Sequence, residues 1–181
     1  MLHDAAEILS AGELIRLGAR LPLLESVTAL SRRRLTRLYK QIIGTPPPTG
    51  QLPFSADWFI NWQHNLHATA FFHIWLRIQP QHKASMAAGL LSAYRVYLEH
   101  CPPGCVTPLT LTRAWVLIRF CQAELLALFP CGHCEGKFIH HSHQPQGSFI
   151  CCFCHPPSRA HYRRQHLSLI HISEPTRLGM I

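Results

Sequence analysis

The residues in this chain best suited to chemistry are four cysteines near its end. In CGHCEGKFIHHSHQPQGSFICCFC, residues 131–154, Cys131 and Cys134 form one Cys-x-x-Cys pair, and Cys151 and Cys154 form another after sixteen intervening residues. Each pair makes a tight turn that aims two sulfurs at one ion, and two pairs across a short loop have the spacing of a four-thiolate zinc site. A lone pair would equally suit redox chemistry. Four protein ligands close a tetrahedral shell, whereas catalytic zinc keeps one position for water, so a single Zn2+ on Cys131, Cys134, Cys151 and Cys154 is expected to be structural. The competing reading is a set of buried free thiols, but so short and polar a stretch offers little core to bury them.

Other donors crowd the segment. His133, His140, His141 and His143 carry imidazoles and Cys152 a spare sulfur, yet four spaced thiolates leave the ion no vacancy, so the histidines read as a solvated loop. Cys101, Cys105 and Cys121 read as packing or surface residues. The opening MLHDAAEILSAGELIRLG has neither the basic start nor the unbroken apolar run of a secretory signal, which predicts a cytoplasmic protein with reduced thiols rather than a disulfide framework.

The elements that must position the cysteines read as helices. Ala6, Leu9, Leu14 and Leu17, with Ile8 and Ile15, give a loose apolar stripe from Asp4 to Gly18, and a second helical segment follows over residues 21–30. In LSRRRLTRLYKQIIG, Ser31 is a candidate N-cap and Gly44 a stop. Leu35, Leu38 and Ile42 fall on one face and Arg33, Arg37 and Lys40 on the other. Together, residues 23–41 have the outline of a helix-turn-helix that could enter a major groove. TPPPTGQLP, residues 45–53, reads as a stiff linker. Ser55 or Asp57 is expected to cap a long helix to Ile78, another covers Lys83–Glu99, and the last covers Leu109–Leu128.

The fold expected is therefore mainly α: a helical body with an HTH-like N-terminal segment, residues 1–129, and a small C-terminal module, residues 130–166, that binds zinc through four cysteines. The segment LSLIHISEPTR, residues 167–177, resembles the translation of a sequencing adapter. Residues 167–181 are thus set aside as non-native, and the natural chain is expected to continue past His166.

Apolar residues make up 48% of the chain and charged residues 14%, a balance that favours a partner-covered surface. The formal charge of +8 favours an anionic partner. Arg32, Arg33, Arg34, Arg37 and Lys40 form one basic group. Lys137 with Arg159, Arg163 and Arg164 forms a second beside the cysteines, and these nine residues are the candidate DNA contacts. Both basic faces could instead be solvated surface. Asn, Gln, His, Arg and Glu side chains interrupt the two most hydrophobic stretches, so no membrane span is expected.

The runs LIRLGARLPLLES, SRRRLTRLYKQIIGTPPPTGQLPFSADWF, LTRAW, HQPQGSF and CHPPSRA resemble the FlhC family of flagellar master regulator subunits across residues 7–165. That resemblance implies an activator, not an enzyme, that assembles with FlhD as four FlhD and two FlhC chains. It also implies binding to promoter DNA of flagellar operons, action with sigma-70 RNA polymerase, and zinc on the four cysteines named above. Two other readings stand beside it: a zinc-stapled adaptor that binds protein only, and a zinc enzyme using the His-rich loop. The enzyme would need an open metal position and a nearby carboxylate, and the loop carries only Glu135.

Overall fold

A computed structural model describes residues 2–82, 85–101, 109–143 and 149–157. The described elements are α1 (Leu2–Arg16), α2 (Leu21–Val27), α3 (Arg32–Ile43), a 3-10 turn (Asp57–Ile60) and α4 (Trp62–Ile78). A second 3-10 turn (Gln79–His82), α5 (Met86–Glu99), α6 (Leu111–Gln122), β1 (Leu126–Pro130) and β2 (Lys137–His141) follow. The protein is mainly α with the cysteine cluster in its C-terminal part, as the sequence predicts. Among the described residues, no helix is long and apolar enough to cross a membrane.

α1 packs against α3 and α5 and buries Ala11, Leu14 and Ile15. Leu9, expected in the apolar stripe, is 70% exposed, because the neighbouring helices meet α1 on the other side of its loosely patterned surface. Gly18, at φ 81°, ends the helix with its own N–H and that of Ala19 returning to the carbonyls of Ile15 and Leu14. After α2, residues 28–31 turn into α3, so the helix-turn-helix outline is present. Gly44, at φ 82°, stops α3, while Ser31 takes the N-cap position with no side-chain capping bond. Arg20 then pins the linker, donating to the carbonyls of Gln51 at 2.9 Å, Thr49 at 3.1 Å and Gly50 at 3.2 Å.

The helix expected from Ser55 or Asp57 to Ile78 is broken. Asn61 is extended at ψ 138°, and α4 begins only at Trp62. Two carbonyls before the break find side-chain partners instead of helical ones: His64 Nδ1 lies 3.1 Å from the Trp58 oxygen, and Asn65 Nδ2 donates to the Phe59 oxygen at 3.0 Å. The Trp58 ring also stacks on His64 at 3.7 Å and lies under the Arg113 guanidinium at 3.8 Å, which ties the turn to α6. α5 starts at Met86, with Ser85 Oγ accepting from the Ala88 N–H, and Lys83, where the sequence predicts its start, lies outside the described residues.

The core joins Phe71 and Trp75 of α4, Leu90, Tyr94 and Tyr97 of α5, and Leu117 and Ile118 of α6. The reading of one helix from Leu109 to Leu128 is corrected: α6 stops at Gln122. The Leu125 N–H returns to the Phe120 oxygen at 2.9 Å and the Glu124 N–H to Cys121 at 3.2 Å, a Schellman ending with Glu124 at φ 55° where glycine is usual. The apolar run beyond it becomes β1, antiparallel to β2 with Leu128 opposite Ile139.

Candidate metal centre and basic helix

The hairpin builds half of the metal centre. Cys131 follows β1 directly, and the turn into β2 closes through Cys131 N–H to the Gly136 oxygen and Glu135 N–H to the Cys131 oxygen, both at 2.9 Å. Glu135 accepts φ 60° in this turn. A Cβ on Gly136 would come within 3.0 Å of the Phe138 ring and 3.4 Å of Cys134 Sγ, so a larger residue here would require those side chains to shift. The second pair sits in a matching turn in which the His155 N–H donates to the Cys151 oxygen at 2.9 Å. The Gly132 N–H meets the Phe149 oxygen at 2.9 Å and joins the two turns.

The four sulfurs of Cys131, Cys134, Cys151 and Cys154 all lie within 4.8 Å of one another. Metal–sulfur bonds of about 2.3 Å place tetrahedral sulfurs about 3.8 Å apart. Cys134 and Cys151 stand at 3.7 Å, so the residues fit one tetrahedral ion with four thiolate ligands.

Backbone N–H groups prepare the sulfurs for negative charge. Cys131 Sγ accepts from the Cys151 N–H at 3.2 Å and the His133 N–H at 3.4 Å, and Cys151 Sγ accepts from the Cys154 N–H at 3.4 Å. The Cys151 N–H is the largest cause lowering the Cys131 thiol to about 6. Burial pushes the Cys151 and Cys154 thiols up, and neighbouring sulfurs raise Cys154 further. Four thiolates therefore need a cation to coexist here.

The histidines are not one solvated loop. His140 packs edge-on against Phe129 and Phe149, and His141 Nε2 lies 2.9 Å from Asp57 Oδ1, because both belong to strand β2. His133 and His143 are exposed, and none of the four joins the sulfur cluster. Cys101 and Cys121 pack at the edge of the core, while Cys105 lies outside the described residues.

The basic residues of α3 divide by angle. At about 100° per residue, Arg32 and Arg34 flank the stripe of Arg33, Arg37 and Lys40. The flanking pair is tied inward: Arg32 bonds Glu25 of α2 at 2.9 Å, and Arg34 bonds Asp4 of α1 at 2.8 Å. Arg33, Arg37 and Lys40 are exposed and have no acidic partner among the described residues, while Leu35 and Tyr39 are buried behind them. Lys137 is exposed at the start of β2. Arg159, Arg163 and Arg164, like residues 167–181, lie outside the described residues.

The sequence reading missed a polar row on α4. Asn65 Nδ2 donates to the Ile139 oxygen at 2.7 Å, the Ile139 N–H donates to Thr69 Oγ1 at 3.1 Å, and His73 Nε2 donates to the Lys137 oxygen at 2.9 Å. Polar residues four apart inside an apolar helix were the available signal.

The profile described as "Flagellar transcriptional activator (FlhC)" matches residues 1–167. A flagellar transcriptional regulator FlhC from Serratia marcescens is 48% identical over 91% of this chain and 86% of its own length. One from Yersinia enterocolitica is 47% identical over the same shares. One from Paraburkholderia atlantica is 49% identical over 87% of this chain and 73% of its own. With a helical body, a four-cysteine cluster and relatedness of this extent, the chain belongs to the FlhC family of flagellar transcriptional activators, a class of regulators rather than of enzymes.

Proposed function

We propose that this chain is a DNA-binding activator subunit that acts with FlhD, as a hetero-hexamer of four FlhD and two FlhC chains, on promoter DNA of flagellar operons. In this reading it works in the cytoplasm with sigma-70 RNA polymerase, and one structural Zn2+ is held by Cys131, Cys134, Cys151 and Cys154. The chain divides into a helical body, a zinc module entered through the hairpin, and a non-native tail over residues 167–181.

The observation that carries the DNA reading is the outward stripe of Arg33, Arg37 and Lys40, which has no acidic partner among the described residues while Arg32 and Arg34 are neutralised by acids on the neighbouring helices. Three cations with no acidic partner among the described residues, on a helix preceded by a turn and a short helix, suit phosphate contact. Lys137 adds an exposed cation on the hairpin that carries the first cysteine pair, and in the sequence Arg159, Arg163 and Arg164 follow shortly after the second pair. Leu9, 70% exposed, and Phe54, 81% exposed, support a protein partner as well as DNA.

The test is binding of a flagellar promoter fragment, and of an unrelated fragment of equal length, by a chain ending at His166 co-expressed with FlhD. Arg33→Ala with Arg37→Ala is expected to weaken binding and flatten the salt dependence, by about one unit of slope for each phosphate no longer neutralised. Unchanged affinity and slope in an intact complex would leave the zinc-stapled protein adaptor as the better reading.

A further inference from the structure

Among the described residues β2 pairs with β1 on one side only, and the groups on its other side face α4. Unpaired peptide groups there would template further strands or pay for desolvation. The chain meets this need with side chains. Asn65, Thr69 and His73 lie one helical turn apart, and their bonds to the Ile139 carbonyl, the Ile139 N–H and the Lys137 carbonyl imitate a third strand. Asn65 and Thr69 are only 4% and 6% exposed, so neither exchanges this partner readily for water.

Asn65 also reaches the metal centre. Its Oδ1 accepts from the thiol of Cys152 at 3.6 Å, while its Nδ2 serves both the Ile139 and Phe59 carbonyls. Cys152 stands between Cys151 and the Cys154 turn and is not one of the four clustered sulfurs. One buried amide thus contacts the second cysteine turn, the hairpin carrying the first, and the break before α4. Whatever fixes the two cysteine turns relative to each other also fixes Cys152 in the second turn against Ile139 in the strand that follows the first, and so both partners of Asn65.

We propose that Asn65 and Thr69 are positioning residues that couple metal occupancy to the docking of the cysteine module on α4. Bound metal holds β2 and the Cys152 turn in the register that Asn65 requires. By reciprocity, the bonds of Asn65 and Thr69 strengthen metal retention by the same free energy with which metal strengthens the docking. This deepens the zinc reading and rests on it.

The experiment uses the chain of residues 1–181 with zinc as the probe, measuring metal content, amide exchange at Ile139 and the rate of zinc transfer to a chelator. Removing zinc is expected to speed Ile139 exchange. Thr69→Val, nearly isosteric but without the acceptor, is expected to speed that exchange on the order of tenfold or more while zinc stays bound. Asn65→Leu is expected to speed zinc transfer to a similar degree from a fully loaded start. Cys152→Ser, which keeps a donor, is expected to stay nearer the wild-type rate than Cys152→Ala, an ordering that a simple packing role would not produce.

A fully loaded wild type whose Ile139 exchange ignores zinc removal overturns the coupling alone. So do Asn65 and Thr69 variants that release zinc at the wild-type rate. A wild type that takes up no zinc overturns the coupling and the zinc reading together.

Discussion

At the scale of single residues, the sulfur cluster and the buried histidines carry separate expectations. Cys131→Ser or Cys154→Ser removes one of four ligands, and each variant is expected to lose stoichiometric metal, as checked by the metal-to-protein ratio after dialysis. Full retention in both would mean that the cluster is not the ligand set. Gly136→Ala is expected to weaken metal binding less severely, because Phe138 and Cys134 must shift to admit the methyl group.

His67 answers to pH. It is buried beside Tyr97, whose hydroxyl lies 2.7 Å from Nδ1, and burial holds its pKa below the usual value. Above about pH 6.5 the imidazole is neutral in both the folded and unfolded chain. As pH falls below that value the unfolded chain binds a proton that the folded one resists, so stability declines through the window down to the lowered native pKa. His64 and His140, also lowered by burial, add in the same direction. Urea midpoints are therefore expected to fall as pH drops from about 7.5 to about 5.5, and His67→Gln to reduce that fall; a midpoint independent of pH would contradict it. The sequence carried the cysteine set through its spacing, but it could not show that His140 packs on Phe129 and Phe149 or that His141 meets Asp57, since those partners are 84 residues apart in the case of Asp57.

At the scale of elements, α6 shows how local signals mislead. Its true stop, Glu124, holds a left-handed backbone that costs a residue with a Cβ about 1 kcal/mol or more relative to glycine. Glu124→Gly is accordingly expected to raise stability by about 1 kcal/mol, read from the denaturant midpoint; no gain would indicate that the side chain has a compensating contact. Because no glycine marks the stop, the apolar residues after it resemble further helix, and the β-hairpin was not legible. Where the punctuation is conventional, sequence and structure agree: Gly18 closes α1, Gly44 closes α3, and the apolar and basic faces of α3 are those its periodicity predicts. The break at Asn61 escaped for another reason. It depends on Asn65 and His64 capturing carbonyls before α4, contacts that exist only once the chain has folded back.

At the scale of the whole molecule, the core lies mostly between the helices, with Leu126 and Ile139 of the hairpin joining it, whereas the cysteine turns are short and lean on one another. Treatment with a strong chelator is therefore expected to unravel the C-terminal module first and leave most of the helical signal in circular dichroism, with a second, hotter transition for the body. A single transition that moves as a whole would mean that body and module form one cooperative unit.

Arg20 gives the helix-turn-helix a property of its own. By gripping the carbonyls of residues 49–51 it closes the intervening chain into a loop, with partners 31 positions apart for Gln51. The proline linker then cannot peel from α2 without releasing all three bonds at one guanidinium. This guanidinium therefore adds a fastening to those that Leu35, Tyr39 and the ion pairs of Arg32 and Arg34 already give the segment. Arg20→Ala is expected to raise amide exchange along α3 while leaving α6 unchanged, so that a contact remote from the basic stripe helps set how long the stripe keeps its shape.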